Sequence, residues 1–200
     1  MPARKQPEDV PVYLFTGFLE GGKTKFIQET MEDPRFNKGE RTLLLLCEEG
    51  EEEYDISTYP AKNVYQEVIE DESELNPEHL TELLEKHQAE RVVLEYNGMW
   101  QLGDLVPALP KHWTLYQIVT VVDATTFDSY AKNMASLMME QLREADLIVF
   151  NRCTDELVEQ LRQRNLKMLN RRAEMYLEYN DDRMENYDNG LCRFDLDVPV

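Results

Sequence analysis

A three-layer α/β fold, with a mostly parallel sheet covered by helices on both faces, is predicted by three observations on this sequence. Short apolar runs alternate with longer, polar, periodic ones, which is the rhythm of βαβ units. Several of the short runs are apolar throughout, as strands buried on both faces are. Between the first apolar run and the first periodic stretch lies a glycine-rich turn, GFLEGGKT (17–24). Length agrees: 200 residues, 42% of them hydrophobic, suffice for one α/β domain with a real core.

The elements follow in order. VYLFT (12–16) is the first strand, and a helix over 23–32 takes up the periodic stretch behind the turn. TLLLLC (42–47) is the second strand, and NVYQEVI (63–69) can form a further one at the sheet edge. Asn76 and Pro77 form an N-cap and first-turn pair for a helix over 77–88. RVVLEY (91–96), YQIVTVVDA (116–124) and LIVFN (147–151) complete the strands, with helices over 126–143 and 154–170. Two segments break the rhythm. CEEGEEEYD (47–55) gathers six carboxylates around one glycine, so it is a solvated loop or one facing a metal. The Asp- and Asn-rich tail (180–200) carries no clear helix or strand and reads as a poorly ordered end or the lead-in to a further domain. The expected organisation is an N-terminal extension over 1–10, one domain over 11–179, and the tail.

Charge excludes some partners. With 21 Lys and Arg against 40 Asp and Glu, the formal net charge is −19, which disfavours nucleic acid and anionic membrane surfaces. An anionic ligand must therefore be held locally, by backbone N–H groups, a lysine and a metal ion such as Mg²⁺. No apolar run approaches the roughly 18 residues of a membrane span. The N-terminal MPARKQPEDV has no apolar signal-like core. Three scattered cysteines, Cys47, Cys153 and Cys192, give neither a disulfide framework nor a CxxC metal site. A reducing cytoplasm is the expected compartment.

Gly17, four residues, Gly22, Lys23 and Thr24 satisfy GxxxxGK[ST], placed after a strand and opening a helix. In that geometry the turn and the helix N-terminus aim backbone N–H groups at a phosphate. Gly17, Gly21 and Gly22 let the backbone approach; Lys23 reaches the β and γ phosphates; the Thr24 hydroxyl ligates Mg²⁺. The bland alternative is a glycine-rich connection with a solvated lysine. Glu20 in the loop must point outward, since a carboxylate repels phosphate.

A metal-bound phosphoryl group also needs an acidic residue at a neighbouring strand end and a loop that senses the γ-phosphate. Glu95, with Gly98 close behind, fits the first requirement, or is a solvated strand-end carboxylate. Glu51 and Asp55 in the acidic loop could reach the metal, or belong to a solvated charge run. In LIVFNRCTDEL, Asn151 can hold a purine edge, and Asp155 can accept from the N1 and N2 hydrogens of guanine. Thr154 or Asp155 can equally be the N-cap of the next helix.

VPVYLFTGFLEGGKT, EEGEEEYD, VVLEYNG, TVVDA and LIVFNRCTD occur in the order seen in the CobW/HypB/UreG group of P-loop GTPases. The chain resembles that group, and most its CobW branch, over about residues 10–155. The resemblance implies a P-loop NTPase fold, with Gly17 to Thr24 and the adjoining Lys25 as the nucleotide loop. Glu48 to Asp55 match the first switch, Glu95 with Gly98 the second, and Asn151 with Arg152 and Asp155 the guanine motif. It further implies GTP/GDP and Mg²⁺ as ligands, hydrolysis coupled to metal delivery or metalloenzyme maturation through a protein client, and a nucleotide-dependent homodimer. Three departures stand out. NKxD reads NRCTD here, its aspartate one residue late; residues 56–90 contain no cysteine where the CobW branch carries CxCC; and the sequence stops shortly after its nucleotide domain where that branch commonly continues into a second, C-terminal one, so the expectation is either a minimal member or a piece of a longer protein.

Other metal ligands are sparse. His79 and His87 lie eight apart on one helix, too far for a shared ion, and His112 precedes Trp113 in a loop. Cys47 beside Glu48 and Glu49 can join a mixed transition-metal site or be a small buried residue. The expected function is a Mg²⁺-dependent, GTP-directed triphosphatase switch with Lys23 and Glu95 as its catalytic groups. The alternatives are a nonhydrolysing nucleotide-binding module and an ATP-dependent small-molecule phosphotransferase.

Overall fold

The computed structural model describes residues 9–48, 54–60, 62–188 and 190–191. Seven strands run parallel: β1 (Val10–Thr16), β2 (Thr42–Leu46), β3 (Val64–Val68), β4 (Arg91–Glu95), β5 (Trp113–Asp123), β6 (Leu147–Cys153) and β7 (Glu174–Tyr179). Two short strands, β8 (Met184–Asn186) and β9 (Gly190–Leu191), close one edge antiparallel. The sheet order is β3-β2-β4-β1-β5-β6-β7-β8-β9. From β1 the chain goes first toward β2 and later to β5 on the other side, so the crossovers diverge at β1. In open α/β sheets a ligand crevice lies at the carboxyl ends of strands where that divergence occurs.

Both faces are covered because the strands are apolar on both. Val12 and Leu14 of β1, Leu43 and Leu45 of β2 and Leu94 of β4 pack with Leu80, Leu84, Leu102 and Leu105 of helices α2 (Pro77–His87) and α3 (Leu102–Ala108). Phe15, Leu44, Val93 and Val119 face the other way, onto Phe26, Ile27 and Met31 of α1 (Lys23–Glu32). A third cluster joins Ile148 and Phe150 of β6 to helices α4 (Phe127–Asn133), α5 (Ala135–Glu144) and α6 (Asp155–Gln163). Among the described residues no helix is long and apolar enough to cross a membrane.

Five elements differ from expectation. The helix expected over 126–143 is two, broken where Met134 leaves helical dihedrals and Asn133 turns its side-chain amide onto the Ser129 carbonyl (3.0 Å). Such side-chain competition is what asparagine brings to a helix end. The helix expected over 154–170 stops at Gln163, where Asn165 adopts a left-handed conformation (φ 50°), and resumes for one turn as α7 (Leu166–Leu169). The stretch with Gly103 and Pro107, where no element is expected, folds as α3, and residues 174–179, equally without an expected element, form β7 beside β6. Finally, the tail is not without strands: residues 180–183 turn the chain, Asp182 at φ 63°, and β8 pairs with β7. Backbone ladder bonds carry that pairing, so polar side chains do not oppose it.

Asn170 holds the far end of α5. Its buried side-chain amide donates to the carbonyls of Leu142, Arg143 and Ala145 (3.0, 3.0 and 2.8 Å), and its oxygen accepts from the Arg172 and Ala173 amides. Three helix-terminal carbonyls would lose their donor in Asn170→Ala. A loss of about 1–3 kcal/mol in urea unfolding is expected, with nucleotide binding unchanged.

Candidate functional site

The glycine-rich turn crosses the carboxyl end of β1 and runs into α1, whose N-cap, Gly22, makes no side-chain cap. The first-turn amides of a helix have no partner within it, so they remain available to an anion. Gly22 needs its φ of 93°, and a Cβ there would meet the Asn151 Nδ2 at 2.3 Å. Gly17, at φ 140°, lies so close to β5 that a Cβ would meet the Val121 carbonyl at 2.2 Å. Gly22→Ala is accordingly expected to weaken nucleotide affinity about tenfold or more, measured by calorimetry, because strain and collision both displace the loop.

Lys23 opens α1 and folds back into the turn. Its ammonium donates to the carbonyls of Gly17 (2.8 Å) and Phe18 (3.0 Å) and to a carboxylate oxygen of Glu48 (2.6 Å). Both partners of this ion pair are buried, with side chains 2% and 8% exposed. Thr24, one residue on, donates to Glu95 Oε1 (3.3 Å). Glu95 ends β4, which pairs directly with β1, and the pairing brings Phe15 opposite Glu95. The Tyr54 hydroxyl donates to the other oxygen of Glu95. Burial pushes the Glu95 carboxyl above its ordinary range, against the opposing pull of the Tyr54 hydrogen bond and the Lys23 charge. Burial, with Glu95 beside it, likewise raises the Tyr54 phenol.

The remaining expected residues divide. Gly98 packs so tightly on the turn that a Cβ would meet the Gly17 carbonyl at 2.3 Å. Asn151, at the end of β6, donates through Nδ2 to the Gly21 carbonyl (2.7 Å), while its Oδ1 is buried without a partner. Arg152 bulges out of β6 at φ 53° and donates to the Glu20 carbonyl (2.9 Å) and to Asp123. Glu20 is itself left-handed (φ 58°) and exposed, so its carboxylate points outward as electrostatics requires. Lys25 lies on the surface against Glu178 (3.3 Å) and Glu29, its side chain away from the turn. Thr154 is the N-cap of α6, accepting from the Leu157 amide, and Asp155 begins that helix with its side chain 84% exposed toward Arg183 (3.4 Å). Asp155 is thus not gathered with Asn151.

Of the four candidate metal ligands, Thr24 and Glu95 meet. Asp55 caps a short turn at 56–58, accepting from the Ser57 amide (3.0 Å), and Glu51 falls outside the described residues. Among the described residues no three His, Cys, Asp or Glu side chains converge on a metal position. The Cys47 thiol is buried and pushed up, first by desolvation and then by Glu95 and Glu48, so it is held neutral. His87 pairs with Glu67 (2.6 Å) and stacks on Tyr65, a surface role.

Sequence reasoning did not single out three contributors, although the family resemblance put two of them, Glu48 and Tyr54, within the first switch. Glu48 was one carboxylate among six, and only the end of β2 selects it. Tyr54 looked like the one aromatic in an acidic loop. Phe18 stacks on Tyr130 of α4 with centroids 4.0 Å apart, anchoring the turn sideways; its place inside the motif was the available signal. Beside the turn runs an open groove of about 730 Å³, bordered by Leu19, Cys47, Glu48, Val68, Asn97 and Met99.

A parallel sheet whose diverging strand feeds a glycine-cradled lysine into a helix, with a carboxylate on the adjacent strand, is the architecture of the P-loop nucleotide-binding proteins. The chain matches the nucleotide-binding domain of the CobW/HypB/UreG family over residues 11–177 and belongs to that family. The Zinc-regulated GTPase metalloprotein activator 1 of Schizosaccharomyces pombe is 25% identical over 166 residues, which are 72% of this chain and 39% of that protein. This chain therefore spans well under half the length of that relative. Among solved structures, the Zn(II)-bound YjiA GTPase of E. coli superposes with a TM-score of 0.63 at 23% identity, over 96% of this chain and 61% of that one. The hydrogenase maturation factor HypB of Archaeoglobus fulgidus gives 0.55 at 20% identity, over 85% and 81%. Both likenesses concern the fold.

Proposed function

We propose that this protein is a Mg²⁺-dependent GTP-binding and hydrolysing switch, supporting metal delivery or metalloenzyme maturation by way of a protein client. The observation that carries the reading is the Thr24–Glu95 contact at 3.3 Å, which joins the first turn of α1, one residue from Lys23, to the end of β4, the strand beside β1. A hydroxyl and a carboxylate are hard oxygen donors suited to Mg²⁺, so these two residues would hold the ion. When bound, the ion would neutralise charge on the phosphate oxygens. Lys23 stabilises charge on the transferring phosphoryl group, and the first-turn amides of α1 do the same from the other side. Glu95, anchored by Tyr54, orients the attacking water through its free lone pairs. Asn151 offers its unpartnered Oδ1 to a donor on the purine, and Arg152 braces the turn beneath it.

The metal-handling part of the reading rests on family membership and on the name of the Schizosaccharomyces pombe relative, a metalloprotein activator. The absence of cysteine from residues 56–90 makes a thiolate cargo site there impossible, so any cargo metal takes another route. A cytoplasmic location and a nucleotide-dependent homodimer belong to the same proposal.

Calorimetric titration with GDP and then ADP, each with Mg²⁺, tests it. Selective GDP binding, followed by phosphate release from GTP, is the expected result. Equal affinity for ADP would mean that Asp155, turned toward Arg183, no longer reads guanine; binding of neither nucleotide would overturn the reading.

A further inference from the structure

The ammonium of Lys23 has three hydrogens and three acceptors, so it is saturated before any ligand arrives. Two acceptors are backbone carbonyls of the turn itself, fixed by the strand and helix on either side. The third, Glu48, is a side chain, and its residue directly follows Cys47, whose amide is pinned to the Glu95 carbonyl (2.9 Å). Only Glu48 can leave without dismantling the turn.

We propose that Glu48 is an internal competitor for the phosphate position on Lys23, so that nucleotide binds by displacing this carboxylate. The inference rests on the nucleotide reading of the site given above. Electrostatics supports it. A carboxylate and a phosphate cannot share one buried ammonium without strong like-charge repulsion at a few ångströms, where little solvent screens it. A buried carboxylate cannot simply lose its counter-ion in place either, since an unpaired buried charge is strongly unfavourable. Glu48 must therefore move toward water, and it borders the open groove beside the turn, which supplies the way out. The phosphate then takes over the role of the carboxylate on Lys23. Occupancy of the phosphate position and the placement of the Glu48 side chain become two readouts of one exchange of partners.

Calorimetry of the wild type, Glu48→Gln and Glu48→Asp, with Mg²⁺–GDP and separately with inorganic tripolyphosphate, tests this. Glutamine keeps the shape and an oxygen for Lys23 but not the charge; aspartate keeps the charge but is a methylene shorter. Both variants are expected to bind each ligand about tenfold or more tightly than the wild type, since the competing ion pair is weakened in each. Thermal melting of the ligand-free variants should show a lower midpoint than the wild type, the other face of the same lost pair. Unchanged affinity in both variants, with the wild type binding normally, would overturn the competition and leave the nucleotide reading standing. Weaker affinity would overturn it in a different way, by making the Glu48 carboxylate part of the ligand's or the metal's holding set. If the wild type and both variants bind neither ligand, the nucleotide reading fails and this inference falls with it.

Discussion

Lys23→Ala is expected to lower affinity for GDP and GTP about 100-fold or more, the scale of removing a buried, charge-assisted contact. Its effect on stability is separate and must be read separately. In the truncated variant Glu48 loses its cation, and whether it stays as an unpaired carboxylate or moves out to water the stability of the pair is given up, so the midpoint of thermal unfolding should fall as well. Adding Glu48→Gln removes the stranded charge. The double variant should regain most of the lost stability and none of the lost binding, a non-additivity that a double-mutant cycle measures directly. Binding that survives in the double variant would remove the phosphate-loop assignment, and a stability loss that persists in it would show that Lys23 acts chiefly through the carbonyls of Gly17 and Phe18.

Glu95→Gln is the second large effect, and it has opposite signs for activity and stability. Glutamine preserves the acceptor for Tyr54 but removes the charge that orients water and binds the metal. Phosphate release from GTP should fall about 100-fold, with nucleotide affinity much less affected. Stability should move the other way. Burial raises the Glu95 carboxyl above its ordinary value of 4.5, so the folded state binds a proton more tightly than the unfolded chain. The stability Glu95 contributes is then fully present below that ordinary value and is lost as pH rises through the raised one. At about pH 8 the wild type carries the cost of a buried carboxylate and the variant does not. The variant should melt higher there, and its advantage should shrink as the pH is lowered toward about 5. A melting advantage independent of pH would mean that packing, and not ionisation, separates the two proteins.

Much of this site was legible because the signals were local. The spacing of Gly17, Gly22, Lys23 and Thr24 after an apolar run fixes strand, turn and helix at once, and a carboxylate ending another buried run places Glu95 nearby. Other features depend on pairing between distant segments. Among six carboxylates in residues 47–55 the sequence offers no reason to choose Glu48 over Glu51; the register of β2 against β4 does, by putting the end of β2 beside Lys23. Asp155 looked like a base-reading group through its nearness to Asn151 in sequence. The bulge at Arg152 and the Thr154 cap direct it to Arg183 instead. Gly103 and Pro107 disguise α3, and the continuous apolar spacing through Phe127, Ala131, Met134, Met138 and Leu142 hides the break at Met134.

Asn151, Arg152 and Lys23 have a joint consequence for the turn. Between them they hold the carbonyls of Gly17, Phe18, Glu20 and Gly21. A trans peptide carries its N–H opposite its carbonyl, so tying those oxygens to protein donors fixes the tilt of the peptide planes before a ligand arrives. A chain with a net charge of −19 can thereby present an electropositive concavity made of main-chain dipoles, pre-set by side chains from β6 and α1. Little ordering entropy is then left to be spent in the turn when a polyphosphate settles into it.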